Sequence, residues 1–297
     1  RYPDDIAMLA GLGLNTYRYS IEWARIEPEE GSFAQGELDH YRRMTDAVRE
    51  SGMTPMVTLH HFTLPRWLAA RGGWTDPGTP ARFARYCETV VRALGDRVDW
   101  YCTINEPGVV AFGGYLGALG WPPGTHDAES WEQAIDGLIA GHRLALPAVK
   151  TARPSARVGA THSMQEWDAD EGGRPMMEYL RRLNEDVFLE ASHQDDFIGV
   201  QTYTRVPIRL GTATSALLRV ALRSPRVMRL VAPPFIRRSA QDPEATYPAG
   251  TRRTQMGYEF RPEAVAATIR RVATLLPGRD IIVTEHGVAT DDDVERV

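Results

Sequence analysis

The alternation of helical segments with short β-branched runs is the feature that most constrains how this chain of 297 residues folds. Helical patterns end at glycine or proline, a run rich in valine, isoleucine and threonine follows, and a polar or aromatic cluster comes next. Between Thr79 and Gly95, for example, large apolar residues recur at helical spacing, and the strand-like run Val98–Asn105 follows. Strands that alternate with helices of this length predict right-handed βαβ units and a parallel sheet.

Six such strands are predicted, which favours a TIM (β/α)₈ barrel with about six of its eight βα units in this chain. A doubly wound sheet would need a glycine-rich phosphate turn after a strand, and the sequence has no G-x-G-x-x-G. We expect a single incomplete barrel domain over residues 1–297. The strands are Asn15–Ser20, Thr54–His60, Val98–Asn105, Arg157–Thr161, Phe197–Tyr203 and Asp280–Glu285, and the helices are Pro3–Gly11, Leu38–Arg49, the helix that Thr79 caps, Trp131–Thr151, Met176–Leu189 and Pro262–Leu276.

The segment Arg205–Gln255 departs from this alternation. It holds ten arginines against two acidic residues, Asp242 and Glu244, and it contains an amphipathic stretch, Leu217–Leu230. A basic amphipathic helix is typical of a membrane surface or a partner-binding element. A long βα loop that covers the barrel mouth is the favoured interpretation, because such loops accept insertions and Pro225 would interrupt a continuous helix.

Composition excludes several classes of protein. A formal net charge of −5 and a pI of about 5.9 argue against a nucleic-acid partner, which would require a basic surface. No apolar run reaches membrane-spanning length, so we expect no membrane partner. The two cysteines, Cys87 and Cys102, are too few for a disulfide framework and predict a reducing compartment, the cytoplasm.

Two glutamates lie at the ends of predicted strands, where the active-site face of a barrel is built. Glu106 follows the strand Val98–Asn105, and Glu285 closes the strand Asp280–Glu285. A single glutamate in such a place is more often part of a salt bridge or a helix cap. Two at one face predict the paired carboxylates that glycoside hydrolysis requires, one to protonate the leaving oxygen and one to meet the oxocarbenium ion.

Four motifs occur in an order that resembles glycoside hydrolase family 1, the β-glucosidase and β-galactosidase family. They are Tyr17–Trp23, Thr58–Pro65, Thr103–Pro107 and Val283–Gly287. The resemblance runs from Arg1 to near Val297 and is weakest over Arg205–Gln255. It implies a TIM barrel and a retaining β-glycosidase that hydrolyses β-D-glucosides or related β-glycosides by double displacement through a glycosyl-enzyme intermediate.

The resemblance also implies roles for individual residues. Glu285 matches the nucleophile and Glu106 the general acid/base, whose carboxyl groups in a retaining enzyme lie roughly 5–5.5 Å apart. Arg18 matches the arginine that pairs with the nucleophile and keeps it ionised. Asn105 matches the residue that hydrogen-bonds the sugar 2-hydroxyl.

Further sugar contacts are implied for His61, which matches a glycone-binding histidine, and for Tyr203, whose hydroxyl is expected to contact the nucleophile. His60 is expected to point the other way, because side chains alternate along a strand. No third ligand accompanies the two histidines at a recognisable spacing, and Asp291–Asp293 is interpreted as a solvated helix start rather than a calcium site. We expect no metal and no cofactor, since two carboxylates suffice.

The sequence departs from the family pattern in ways that leave the glycone open. Gln201–Thr202–Tyr203 stands where the family usually has Asn–Tyr–Tyr, and no segment matches the first and eighth strands that read the sugar's 3-, 4- and 6-hydroxyls. Glucose, galactose, fucose and a phosphorylated sugar therefore remain alternatives. Four tryptophans are interpreted as barrel packing rather than sugar-stacking platforms: Trp23, Trp67, Trp74 and Trp121.

Two other functions use the same residues. A carbohydrate-binding relative that has lost catalysis would not need both glutamates together with Asn105 and Arg18. A transglycosylase, in which an alcohol resolves the intermediate, would keep them all, and the aglycone-side residues that decide this are not identified. An open six-stranded barrel would also leave two strand edges exposed, which predicts self-association.

Overall fold

The computed structural model describes residues 1–117, 119–210, 224–241, 247–292 and 294. Its strands are β1 (Thr16–Ser20), β2 (Thr54–His60), β3 (Trp100–Asn105), β4 (Arg157–Ser163), β5 (Glu166–Ala169), β6 (Phe197–Gln201), β7 (Arg205–Ile208) and β8 (Asp280–Glu285). Six of them form one sheet in the order β1-β2-β3-β4-β6-β8, in which the first four pair in parallel. The six predicted strands are therefore confirmed.

Helices alternate with these strands, as the sequence predicts. They are α1 (Tyr2–Gly11), α2 (Trp23–Ile26), α3 (Gln35–Glu50), α4 (Arg66–Ala69), α5 (Thr79–Leu94), α6 (Pro107–Val110), α7 (Ala128–Ala152), α8 (Arg174–Arg181), α9 (Val187–Ala191), α10 (Pro225–Gln241) and α11 (Ala264–Leu275). Single 3₁₀ turns form at Gly73–Thr75 and Gly95–Arg97, and π-helical turns at Ala111–Tyr115 and Arg182–Asp186.

Several predicted boundaries are wrong. The single helix predicted over Met176–Leu189 is divided into α8 and α9 by the π turn. The strand predicted to reach Tyr203 ends at Gln201. Thr79 is not the cap of α5, because Gly78 occupies that position and the Thr79 hydroxyl donates to the Gly73 carbonyl at 2.6 Å.

In the described part of the segment interpreted as a long loop, Arg205–Gln255, regular structure occurs at two places. β7 pairs in parallel with β5 in a separate two-stranded sheet, which the sequence did not predict because both strands are only four residues long. Of the amphipathic stretch Leu217–Leu230, residues 217–223 lie outside the described residues. α10 begins at Pro225, directly after the non-helical Ser224, so no helix continues through this position, as the sequence predicts; proline is tolerated in a first helical turn.

The chain divides into two compact units. Unit 1 comprises Arg1–Glu106, Asp136–Thr161 and Ala191–Gly199, and unit 2 comprises Pro107–Ile135, His162–Glu190 and Val200–Val297.

In unit 1, β2 and β3 are buried almost along their whole length, as expected for parallel strands covered on both faces. The predicted apolar stripe of α5 is confirmed as core: Phe83, Tyr86, Cys87, Val90, Val91 and Leu94 are all buried. Trp23 stacks on Tyr86 with ring centroids 4.9 Å apart, and Trp74 is equally buried. The packing interpretation of these two tryptophans is therefore confirmed.

Helix α7 lies unusually close to Trp74 within unit 1. A Cβ atom at Gly137 would fall 2.0 Å from the Trp74 carbonyl oxygen, and one at Gly141 would fall 2.6 Å from the indole ring. Two glycines four residues apart lie on one helix face, so they leave room for the indole against the helix backbone. This approach fixes the position of the next residue, His142, which is buried.

Unit 2 has its own apolar cluster, where α8 and α10 pack with β7. Its buried members are Met176, Leu180, Ile208, Met228 and Ala232.

Both cysteines are buried free thiols, and burial raises the pKa of the Cys87 thiol well above its ordinary value. In the part of the chain that the structure describes, no helix combines the length and the apolar composition needed to cross a membrane.

Candidate active site

Asn105, the last residue of β3, is the centre of a buried polar cluster in unit 1. Its Oδ1 accepts hydrogen bonds from Arg18 Nη1 at 3.2 Å and from Thr161 Oγ1 at 3.1 Å. Because a guanidinium can only donate, Oδ1 must face Arg18, which fixes the orientation of the amide. Its Nδ2 therefore points to His61 Nε2, 3.4 Å away. The cluster brings together three predicted site residues: Arg18, Asn105 and His61.

Arg18 lies on β1 and also donates to Thr58 Oγ1 at 3.0 Å. Within unit 1 it therefore ties three strands together and holds the amide of Asn105. Its pairing with Glu285, which the resemblance implies, stays a prediction.

Glu106 immediately follows β3 and is 8% exposed. Its backbone N–H donates to the Thr161 carbonyl at 2.8 Å, and its φ of 46° lies in the left-handed region. Non-glycine residues in this region carry strain of the order of 1 kcal/mol or more and persist where the surroundings hold them, often at functional sites. Phe62, next to His61, has a φ of 72° and is the other described non-glycine residue in this region.

His60 points away from this cluster, as predicted, and is 1% exposed. Its ring makes edge contacts with Trp74 and Phe83, and neither ring nitrogen has a hydrogen-bond partner. Burial, with the neighbouring His61 as a smaller cause, lowers the pKa of His60 to about 3. It is therefore a neutral core residue and not a ligand.

This burial predicts an acid-sensitive contribution to stability. Below pH 6.5 the unfolded chain protonates His60 and the folded protein does not, so stability is lost as the pH falls towards 3. Between pH 7 and pH 5 the loss is about 2 kcal/mol of the free energy of unfolding. We expect His60→Phe to reduce the fall in unfolding free energy over that interval by this amount, measured by urea denaturation.

The matched control is the same substitution at the exposed His193, which separates the effect of burial from the effect of removing a histidine. A His60→Phe variant whose unfolding free energy falls with pH as steeply as that of the wild type would contradict the expectation.

Glu285 ends β8, and both of its carboxylate oxygens accept hydrogen bonds within unit 2. Gln201 Nε2 donates to Oε1 at 2.9 Å, and the Tyr203 hydroxyl donates to Oε2 at 2.5 Å. The Glu285 carbonyl accepts from the Thr202 N–H at 3.3 Å, and the His286 ring bonds the Thr202 carbonyl. The structure thus places Tyr203 against Glu285, as the resemblance implies, and adds Gln201.

Among the residues whose side chains hydrogen-bond Arg18, Asn105 or Glu285, three are absent from the predicted site residues: Thr58, Thr161 and Gln201. The threonines belong to ordinary buried strand runs, and nothing in their spacing distinguishes them. Gln201 was visible only as a mismatch to the family's asparagine. Its side chain is one methylene longer than asparagine, and its amide contacts the carboxylate.

No group of three histidine, cysteine, aspartate or glutamate side chains that could hold a metal ion occurs among the described residues. Asp293 of the acidic run Asp291–Asp293 lies outside them.

Comparison with known proteins assigns the chain to a family. The family model for glycosyl hydrolase family 1 matches residues 1–171, more than half of the chain. The chain belongs to glycosyl hydrolase family 1. The motif that contains Glu285 lies beyond this match, within the region aligned with individual family members.

Among curated relatives, the chain is 32% identical to thermostable beta-glucosidase B of Thermobispora bispora, over 100% of this chain and 64% of that protein. It is 30% identical to the bifunctional beta-D-glucosidase/beta-D-fucosidase of Bifidobacterium breve, over 99% of this chain and 68% of that protein. The chain thus spans about two thirds of the length of these relatives.

Solved structures agree with the family 1 assignment. Beta-glycosidase BGL167 is 38% identical and superposes with a TM-score of 0.79 over 100% of this chain and 69% of that one. The beta-glucosidase of Thermotoga maritima in complex with deoxynojirimycin is 25% identical, with a TM-score of 0.80 over 98% of this chain and 67% of that one. The predicted fold, six strands of a TIM barrel, is confirmed.

Proposed function

We propose that the protein is a retaining β-glycosidase that hydrolyses β-D-glucosides or related β-glycosides by double displacement. Membership of glycosyl hydrolase family 1 supports this activity class, and beta-glucosidases recur among the relatives. The glycone is taken as glucose for the first tests.

The observation that carries the proposal is the environment of Glu285. Gln201 and Tyr203 each donate a hydrogen bond to a different oxygen of its carboxylate. Two neutral donors fix the plane of the carboxylate without adding a positive charge, and an acceptor-only group with fixed geometry suits nucleophilic attack. A carboxylate whose plane is fixed in this way can present an oxygen lone pair to the anomeric carbon, which supports the role of nucleophile.

In the first step a Glu285 oxygen forms a bond to the anomeric carbon while the bond to the aglycone oxygen breaks. Glu106 gives its proton to that departing oxygen, so the aglycone leaves as a neutral alcohol. In the second step Glu106, now a carboxylate, takes a proton from water. The water oxygen then replaces Glu285 at the anomeric carbon, and Glu285 is restored.

Asn105 is the proposed contact of the sugar 2-hydroxyl. Arg18 and Thr161 donate to Asn105 Oδ1, so the amide nitrogen Nδ2, a donor, is the atom that Asn105 offers to a ligand. Hydrogen bonds to the 2-hydroxyl strengthen in the transition state of glycoside hydrolysis, so this contact would contribute to catalysis. His61, whose ring nitrogen lies beside this amide, is the proposed glycone ligand of the same cluster.

The direct test is release of 4-nitrophenol from 4-nitrophenyl β-D-glucoside by this chain. We expect wild-type turnover that is abolished in Glu285→Gln and retained in Glu263→Gln, a matched change of an exposed glutamate in the same unit. Adding an alcohol acceptor reveals transglycosylation as an alkyl glucoside product. No turnover, or turnover that survives in Glu285→Gln, would contradict the proposal.

A further inference from the structure

Strand β3 contains an irregularity two residues before its end. Cys102 lies opposite Gly159 on β4, and Asn105 lies opposite Thr161, so three steps along β3 match two steps along β4. An extra residue of this kind is a β-bulge, which redirects the side chains that follow it. Without it, Thr103 and Asn105 would lie on the same side of the strand. In the structure Thr103 contacts helix α7, whereas Asn105 contacts Arg18 on β1.

A chain of buried hydrogen bonds holds the bulge. The Thr103 hydroxyl is 2.8 Å from His142 Nδ1, and His142 Nε2 is 2.9 Å from Asp195 Oδ1. Asp195 Oδ2 accepts from the Ala160 N–H at 2.9 Å, so this series of hydrogen bonds connects back to β4. All three side chains are buried: the exposed fraction is 0% for Thr103, 5% for His142 and 0% for Asp195. Substrate therefore cannot reach the Thr103 hydroxyl, and the three residues are not a nucleophilic triad.

The Asp195 carboxylate is acceptor-only, so Nε2 of His142 carries a hydrogen. The Thr103 hydroxyl, beside His142 Nδ1, also donates to the Gly159 carbonyl of β4 at 3.4 Å, so it links the bulge both to α7 and to β4. Three residues after Thr103, Glu106 holds its left-handed φ of 46°, a conformation that persists only where neighbouring backbone is fixed.

We propose that Thr103, His142 and Asp195 are positioning residues for the acid/base carboxyl: they lock the β3 bulge and thereby keep Glu106 in its strained backbone conformation. Asn105 is also redirected by the bulge, but its bonds from Arg18 and Thr161 hold its amide when the Thr103 bond is lost. Loss of the Thr103 hydroxyl therefore impairs proton donation by Glu106 more than binding of the sugar. This proposal rests on the proposed function of Glu106.

The test compares Thr103→Val, which removes the hydroxyl and keeps the shape, with Thr103→Ser, which keeps the hydroxyl. The substrates are phenyl β-D-glucoside, whose leaving group needs a proton, and 2,4-dinitrophenyl β-D-glucoside, whose leaving group does not. For Thr103→Val we expect kcat/KM to fall about 30-fold on the phenyl glucoside and less than about 3-fold on the dinitrophenyl glucoside. Thr103→Ser is expected to keep the wild-type kcat/KM on both substrates. Asp195→Asn is expected to lose kcat/KM mainly on the phenyl glucoside, as Thr103→Val does.

The matched control is Thr45→Val. Thr45 is equally buried in unit 1 and its hydroxyl bonds Tyr19, away from the bulge. Thr45→Val should lower thermal stability without changing the ratio of kcat/KM on the two substrates. The proposal would be overturned if Thr103→Val lost kcat/KM equally on both substrates, or if Thr45→Val also lost it mainly on the phenyl glucoside.

A second readout separates this proposal from the proposed function. The Glu106 amide donates to Thr161 O, so its hydrogen exchange reports whether the bulge holds. We expect exchange at Glu106 to accelerate at least about tenfold in Thr103→Val and not in Thr45→Val. If Glu106→Gln shows no leaving-group dependence, the proposed function fails while this exchange result still supports the positioning role. Unchanged exchange in Thr103→Val overturns it.

Discussion

Replacement of Glu285 by glutamine is expected to lower kcat/KM for aryl β-glucosides by at least about 10⁴-fold, the range found when a covalent nucleophile is removed from other hydrolases. The amide is nearly the same size, but its nitrogen is a donor and a poor nucleophile. In the wild type both carboxylate oxygens accept, from Gln201 Nε2 and from the Tyr203 hydroxyl, so with an amide one of these bonds is reversed or lost. The measurement is initial-rate kinetics on 4-nitrophenyl and 2,4-dinitrophenyl glucosides, on which kcat/KM should fall equally because the bond from Glu285 forms in the same step in which either leaving group departs.

Two matched variants make this result specific. Glu263→Gln changes an exposed glutamate of unit 2 and should retain the wild-type rate. Gln201→Asn shortens the amide that contacts Oε1 and should reduce the rate by a smaller factor, about tenfold, the size of one lost hydrogen bond. A Glu285→Gln variant with more than a tenth of the wild-type rate would exclude Glu285 as the nucleophile.

Replacement of Glu106 by glutamine is expected to have an effect that depends on the leaving group. Glutamine cannot give up a proton to the departing oxygen, and general acid catalysis contributes about 10²–10⁴-fold. We therefore expect kcat/KM to fall by at least about 10²-fold on phenyl β-D-glucoside and by less than about tenfold on 2,4-dinitrophenyl β-D-glucoside. On the dinitrophenyl substrate kcat itself falls, because water is no longer deprotonated and the glycosyl-enzyme accumulates.

The control for this variant is Glu50→Gln, an exposed glutamate at the end of α3 in unit 1, which should behave as wild type on both substrates. Equal losses on the two glucosides would mean that Glu106 does not act as the acid.

The sequence predicts the sheet well because of how a parallel sheet is buried. Strands such as Thr54–His60 are covered on both faces, so they are continuous apolar runs that stand out between helices. Polar residues are excluded from such runs and gather where the strands end, which is why Glu106 and Glu285 could be singled out before any coordinates were known. The strand assignment depends on local composition alone.

The remaining features depend on contacts between distant residues. Thr161 and Thr58 are ordinary strand threonines until the fold brings them to Asn105 and Arg18. The β3 bulge leaves no mark in the local pattern, because the hydrogen bond that holds it comes from His142, 39 residues away. The left-handed φ of Glu106 is likewise a consequence of tertiary structure.

The short strands β5 and β7 were missed for a related reason. Each has four residues, and charged or proline residues occupy part of each: Glu166 and Asp168 in one, Arg205 and Pro207 in the other. Their pairing is decided by packing of the neighbouring helices α8 and α10 rather than by strand propensity.

A covalent bond between Glu285 and the sugar can be detected by incubation with 2,4-dinitrophenyl 2-deoxy-2-fluoro-β-D-glucoside. The fluorine slows both steps by destabilising positive charge at the anomeric carbon, while the good leaving group preserves the first step, so the intermediate accumulates. Intact mass and peptide mapping should show one fluoroglucosyl group on Glu285 in the wild type and in Glu106→Gln, and none in Glu285→Gln. A sugar on another residue, or turnover of aryl glucosides without any adduct, would exclude Glu285 as the nucleophile.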